Sequence, residues 1–396
     1  MKNWRSIAAK LATAVVAVGI ATSTLTACSG AKINTLTVWA DEAEVNALKN
    51  VAQEFQKQTG VKVDLVVKNN SRSELVANST KLAGPDVVIG GHEWLSELVP
   101  AKLLAPVDLG LTGGNFQSVS LKAFNYAGRQ YGVPYTFDNS ALICNAAAVP
   151  AQPTDWSQVQ QAGVTALIVD GSSAAELYPL QSSFGAKLFK TDGSGNYTDE
   201  LAMSGGEGAK FADWLSTVGA KTFNTKATFD QVINSVKNGA KACMLAGTWV
   251  RNSLDLTTSE YNIYSVPTLG GQPATELLNA RGYMITAASK DPETAQKFIN
   301  DFANTKDVAT ALYQTTGRIP ALNSALESLG DDKLAKGFAA AAANAEPLPA
   351  SAAMNVVWQY WGAAELAILR GEGDAQAIWN QMIDNVTAGI KALPSK

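Results

Sequence analysis

Short apolar runs alternate with amphipathic stretches along most of this 396-residue chain, and that alternation is what most limits its possible folds. LTVWA reads as a strand, and Val45, Leu48, Val51, Ala52 and Phe55 then recur at helical spacing before Gly60, a residue suited to the left-handed stop after a helix. VKVDLVV returns to strand alternation, and GPDVVIGG is a continuous apolar strand of the buried kind. The pattern continues through GVPYTFDNSALICN, two strand-like halves around residues 137–140, and through VTALIVDG, KACMLAGT and GYMITAAS. Helices are predicted between them, as in EGAKFADWLSTVG and DPETAQKFINDFANT, the second with Asp291 as N-cap and Pro292 at the first helical position. Strands alternating with helices predict an α/β fold built on largely parallel sheet. No fixed repeat and no low-complexity linker interrupts the pattern.

The first residues stand outside it. Lys2, Arg5 and Lys10 give a basic start, and LATAVVAVGIATSTLTA is apolar but too short for a spanning helix. Leu25, Thr26, Ala27 and Cys28 resemble the lipobox of bacterial lipoprotein signal peptides, in which the cysteine becomes the acylated first residue. The resemblance implies a leader over 1–27, a lipid anchor at Cys28 and a spacer over 28–34. Two or more acyl chains hold a soluble domain stably on a membrane.

Three of the 31 basic residues lie in that leader and none of the 35 acidic ones does, so the remainder carries a net charge of about −7. That balance argues against nucleic acid or an anionic surface as partner. About 370 residues exceed what one core usually organises, and two domains are expected. Cys144 and Cys243 each sit within a short apolar run and read as buried thiols; a disulfide between them needs a proximity that spacing does not supply. In KTDGSGNYTDE, Asp192, Ser194 and Asn196 alternate like the start of a calcium loop, but Met203 stands where the bidentate glutamate should be. A hairpin turn is the better reading.

Catalytic motifs are lacking. The only histidine, His92, would have to serve any Ser-His-Asp site, yet there is no G-x-S-x-G turn, no phosphate loop and no Cys or His cluster at metal-ligand spacing. No metal and no cofactor is expected. A glycosidase needs only a carboxylate pair, which 35 acidic residues always contain, so that class stays open. What the chain does offer is aromatic residues at element ends beside polar ones. Trp39 precedes Asp41 and Glu42, Trp94 follows His92 and Glu93, Tyr135 and Phe137 precede Asp138, Trp249 follows KACMLAGT, and Trp358, Tyr360 and Trp361 crowd one segment. Rings that cover C–H faces beside groups that take hydroxyls make up a sugar site. Singly, Trp39 reads as core and Trp361 as core or site alike.

LTVWA, EFQKQTGVKV, GPDVVIGGHEWL, LLAPV, YGVPYTFDNSALICN, YPLQSSFGAKLF, KACMLAGTWVRN, VPTLGGQP and DPETAQKFINDF, in this order behind a lipobox-like leader, resemble the sugar-binding proteins of ABC importers, and most of all the maltose-binding branch. The resemblance implies a two-lobed periplasmic-binding fold (type II) with mixed sheets flanked by helices. Lobe one would comprise 35–137 and 283–320, lobe two 141–278 and 326–396, with hinge crossings near 137–141, 278–283 and 318–326. It implies binding roles for Glu93, Asp138, Trp249 and Trp358, with His92 shaping the loop that presents Glu93 and Trp94 and donating one hydrogen bond of its own. Trp94 falls where the branch has an arginine, and Gly90 where it has a site tryptophan. Other departures are Ala175 for a tyrosine, with Glu176 or Tyr178 as substitutes, Gly362 for an arginine, and Asp41, Glu42 and Glu44 where a lysine is expected. Arg281 and Arg318 fall near the crossings. The function implied is that of a monomeric, lipid-anchored receptor on the outer face of the cell membrane. It would carry a neutral oligosaccharide, of maltose or maltodextrin type, to an ABC permease, with no catalysis. A secreted glycoside-active enzyme and a surface receptor for another sugar are the alternatives.

Overall fold

A computed structural model describes residues 34–78, 84–168, 174–193, 195–258 and 260–394. Cys28 and the leader lie outside them. The strand Thr35–Ala40 buries its alternate residues Leu36, Val38 and Ala40. The helix Glu42–Thr59 buries Val45, Leu48, Ala52 and Phe55, as their spacing predicts. Asp41 and Glu44 close its start in a reciprocal capping box, and Gly60 ends it at φ 78°. Asp291 and Pro292 likewise begin the helix Pro292–Phe298.

The larger sheet has eight strands. Its path runs Ile319–Pro320, Val133–Asn139, Leu277–Thr286, Val87–Gly91, Thr35–Ala40, Lys62–Val67, with Leu104–Ala105 and Glu346–Pro347 pairing onto Leu277–Thr286. Thr35–Ala40 is parallel to both its neighbours, whereas Leu277–Thr286 is antiparallel to Val87–Gly91 and Val133–Asn139, so the sheet is mixed. The smaller sheet orders Tyr261–Tyr264, Ala141–Asn145, Cys243–Ala246, Val164–Ala166. Only Ser140 separates the strand that ends in the larger sheet from the one that begins the smaller. Two α/β lobes therefore share a chain that passes between them with almost no slack.

Strand pleating divides the smaller sheet between two cores. Ala141, Ile143, Met244 and Ala246 face a core continuous with that of the larger sheet, whereas Leu142, Cys144, Cys243 and Leu245 face one shared with the helices Ala352–Arg370 and Ala375–Lys391. The antiparallel register sets Cys243 directly opposite Cys144, on the same face, and the two are joined as a disulfide. This corrects the thiol reading: the partners lie 99 residues apart, and only the strand order brings them together. The strands Phe189–Thr191 and Tyr197–Leu201 pair antiparallel, and Asp192 N–H donates to the Asn196 carbonyl between them, as a hairpin requires.

Candidate functional site

In open α/β sheets, ligands meet the ends of strands where the loops converge. The strand Val87–Gly91 ends in the 3-10 turn His92–Trp94. His92 is fully buried there; its Nε2 donates to the Leu348 carbonyl at 2.8 Å, and its Nδ1 accepts the Ala280 N–H at 3.1 Å. Both ring nitrogens thus serve backbone groups. The expected loop-shaping role fits this geometry, but His92 has no hydrogen bond left to offer a sugar, which corrects that part of the expectation.

Glu93 and Trp94 are half-exposed and fold back over the end of their own strand. A Cβ built on Gly91 would come 2.1 Å from Glu93 Oε2, and one on Gly90 would come 2.2 Å from Trp94 Cζ3. The glycine pair leaves the space these side chains fill.

Beside them, Arg281 lies opposite Gly91 in the ladder. Its Nη2 reaches Glu44 at 2.7 Å and Asp41 at 3.2 Å, and Nε meets Tyr135 Oη at 3.3 Å. Tyr135 in turn hydrogen-bonds Glu44. Burial opposes the Arg281 charge, but Glu44 and Tyr135 outweigh it and push its pKa above the ordinary value. Burial, with Glu44 beside it, raises the Tyr135 phenol too. Asp41 is therefore committed to its helix cap and to Arg281, while Glu42 is exposed on the first helical turn. Glu44 and Tyr135 were not anticipated as members of this cluster. The Asp41-x-x-Glu44 spacing is itself a capping-box signature, so Glu44's position beside Asp41 was readable.

In the second lobe, the strand Cys243–Ala246 leads through Gly247 into the 3-10 turn Thr248–Val250. Trp249 is 48% exposed, and a Cβ on Gly247 would come 1.9 Å from its ring. Asp138, near the end of the strand that runs into the second lobe, accepts the Thr248 hydroxyl and pairs with Arg318 Nε at 3.2 Å. Burial raises its pKa, against the opposing pull of Thr248 and Arg318. Segments from both lobes thus converge on one carboxylate.

The helix Ala352–Arg370 supplies Trp358, 37% exposed, and behind it Trp361, fully buried, with ring centroids 5.4 Å apart. Trp361 Nε1 donates to Gln181 Oε1 at 2.8 Å, and its ring meets Tyr178 edge-on at 6.0 Å. Tyr178 is buried in the core of the second lobe and presents no face to a ligand, which corrects its candidacy. Glu176, two residues earlier on the same helix Ala174–Ser183, is half-buried, and burial pushes its pKa to about 7. Trp39 is half-buried beneath Lys68, 5.0 Å from the ring centroid. Among the described residues no group of His, Cys, Asp and Glu is arranged to hold a metal, and no helix is long and apolar enough to cross a membrane.

Half-exposed tryptophans at strand ends of both lobes, with the Asp138–Arg318 pair between them, sit on a two-lobed α/β fold of the periplasmic-binding type. A model of the bacterial extracellular solute-binding protein family matches residues 50–345, and the chain belongs to that family. It is similar to the maltooligosaccharide ABC transporter solute-binding lipoprotein of Streptococcus pneumoniae, 24% identical over 400 residues, which cover 95% of this chain and 94% of that one. The galactooligosaccharide-binding protein of Bacillus subtilis is 23% identical over 92% of this chain and 91% of its own. A crystal structure of cyclo/maltodextrin-binding protein complexed with maltotetraose shares the fold with a TM-score of 0.82, at 23% identity and over 93% of this chain and 100% of that one.

Proposed function

We propose that this protein is an extracellular receptor that binds a neutral oligosaccharide of maltodextrin type between its lobes and hands it unchanged to an ABC permease. The observation that carries the reading is Trp249: a tryptophan nearly half-exposed, laid across a glycine at a strand end, beside a carboxylate held by Thr248 and Arg318. An aromatic face next to fixed polar groups suits a pyranose, whose C–H face stacks while its hydroxyls are bonded. The relatives support the ligand class, since their names speak of maltooligosaccharide and galactooligosaccharide. Glu93, Trp94, Asp138, Trp249 and Trp358 are the proposed contacts. Arg281, Asp41 and Glu42 form the rim of the first lobe, and His92 positions the Glu93 loop.

The proposed hinge lies at residues 137–141, 278–283 and 318–326. Ligand touching both lobes stabilises the closed form, and only that difference in affinity drives closure. The protein acts as a monomer tethered to the cell surface through acylated Cys28, and Cys28→Ala is expected to release it from the membrane fraction. Persistence there would remove the anchor. Calorimetric titration with maltose, maltotriose, longer maltodextrins, trehalose and raffinose tests the receptor reading. Micromolar or tighter binding to one set, with no product formed, is expected. Turnover would make it an enzyme, and binding confined to trehalose or raffinose would favour a receptor for another sugar.

A further inference from the structure

The turn that carries Trp249 is fastened at both ends. Before the indole, Thr248 is bonded to Asp138, which also holds Arg318. After it, Arg251 reaches across to the helix Lys306–Thr316, which packs against Glu42–Thr59 of the first lobe. Arg251 Nη1 donates to the Tyr313 carbonyl at 3.1 Å, and the guanidinium lies over the Tyr313 ring, 5.2 Å from its centroid. That carbonyl lies in the last turn of its helix and already accepts the Gly317 N–H at 2.8 Å, so the cation meets the negative end of the helix dipole. Tyr313 is buried, and its hydroxyl donates at 2.8 Å to Asp332, which caps the helix Lys333–Ala341. The ring that receives Arg251 is therefore fixed without its help. Gly317 makes the room: its φ of 76° favours glycine, and a Cβ there would come 2.6 Å from Arg251 Cδ. Stability does not explain the arrangement, because Arg251 Nε is buried with no hydrogen-bond partner among the described residues, and an unmet donor costs free energy.

We infer that Arg251 is a positioning residue for sugar binding: it clamps the turn that carries Trp249 to the end of the helix Lys306–Thr316 and so sets the angle at which the indole meets the ligand. This rests on the receptor reading above and deepens it. Arg251 does so without touching the sugar, since its guanidinium is committed to the carbonyl and the ring of Tyr313. A planar, delocalised cation can serve both at once, which a point charge does less well. The clamp also joins segments from the two lobes, so that the aromatic contact of one is held in place by a helix of the other. Its effect on affinity then passes through Trp249 and depends on Tyr313.

Calorimetric titration of the leader-free protein against maltotriose, maltotetraose and a galactooligosaccharide tests this. Arg251→Met keeps an apolar stem, removes the guanidinium, and is expected to raise Kd about threefold to thirtyfold. Arg251→Lys retains a charge over the ring and a donor for the carbonyl, so it should recover part of the loss. Tyr313→Leu removes the ring on which the guanidinium rests, and its effect should not add to that of Arg251→Met. In a Trp249→Ala background, Arg251→Met should change Kd by less than about twofold, because the side chain it positions is gone. A Kd for Arg251→Met within about twofold of the unaltered protein overturns the role. So does a loss that persists in full without Trp249, since Arg251 would then act on the ligand or the fold by another route. Where Trp249→Ala leaves no measurable binding, the coupling to Tyr313→Leu decides, and additive effects there overturn the clamp. Should Arg251→Met fail to fold, Arg251→Lys takes its place in the same comparisons. If the unaltered protein binds none of the three sugars, the receptor reading fails and this role with it, whereas tight binding indifferent to Arg251 removes the role alone.

Discussion

His92 donates through Nε2 to the carbonyl of Leu348, 256 residues away, while its Nδ1 receives the N–H of Ala280. One ring from the first lobe thereby ties down a strand of the larger sheet and the segment that leads into the helix Ala352–Arg370. His92→Ala should leave the buried Ala280 N–H and the half-buried Leu348 carbonyl without this partner and open a cavity, at a cost of about 2 to 5 kcal/mol. Urea unfolding measures this directly. A midpoint unchanged within error would mean that the two backbone groups find other partners and that the histidine is no staple.

The two kinds of tryptophan make opposite predictions. Trp249 is half-exposed, so Trp249→Ala should reduce affinity for the bound sugar by a factor of ten to a hundred or so, with little change in melting temperature. Trp361 is fully buried and bonded to Gln181, so Trp361→Ala should cost about 3 to 5 kcal/mol of stability. Calorimetry and thermal melts on both variants separate the roles; a stability loss at Trp249 equal to that at Trp361 would make Trp249 a core residue.

What the chain revealed beforehand follows from how local each signal is. The strand and helix at Thr35–Thr59, the cap at Asp291 and the hairpin after Phe189 all depend on neighbours within a few residues, and each formed where the pattern put it. Tyr178 failed as a site residue because the choice between core and cleft depends on how its helix is rotated against Trp361, 183 positions later, which no local pattern contains. The ties of His92 to Ala280 and Leu348 were hidden for the same reason, as were those of Arg281 to Glu44 and Tyr135. Gly90 and Gly247 were visible as glycines, yet the rings that need their space became visible only with the turns that fold back over them.

The disulfide is the largest departure from the sequence reading, and it carries its own test. Cys144 and Cys243 close a loop of about 100 residues, for which chain-entropy arguments give roughly 4 to 5 kcal/mol of stabilisation. Reductant should lower the melting temperature of a protein truncated before residue 31, which lacks Cys28, and thiol titration of that denatured, unreduced chain should find no free cysteine. Two reactive thiols in that titration would restore the earlier reading.

Glu276 makes stability depend on pH in a direction unusual for a carboxylate. It is buried just before the strand Leu277–Thr286 and accepts a long bond from the Val266 N–H at 3.3 Å; burial outweighs its backbone hydrogen bonds and pushes its pKa from 4.5 to about 8. Between those values the folded chain holds a proton that the unfolded chain releases. This contribution is therefore full below about pH 4.5 and is lost as pH rises through about 8, by on the order of a few kcal/mol. Burial raises Glu176 to about 7 and Glu365 well above its usual range, so both act in the same sense. Glu276→Gln keeps the acceptor oxygen for Val266 and removes the titration. Its melting temperature should match that of the unaltered protein near pH 5, exceed it at pH 8 and fall less steeply between. Parallel curves for the two proteins would mean that Glu276 is ionised in the folded state and that burial is relieved by contacts formed in solution.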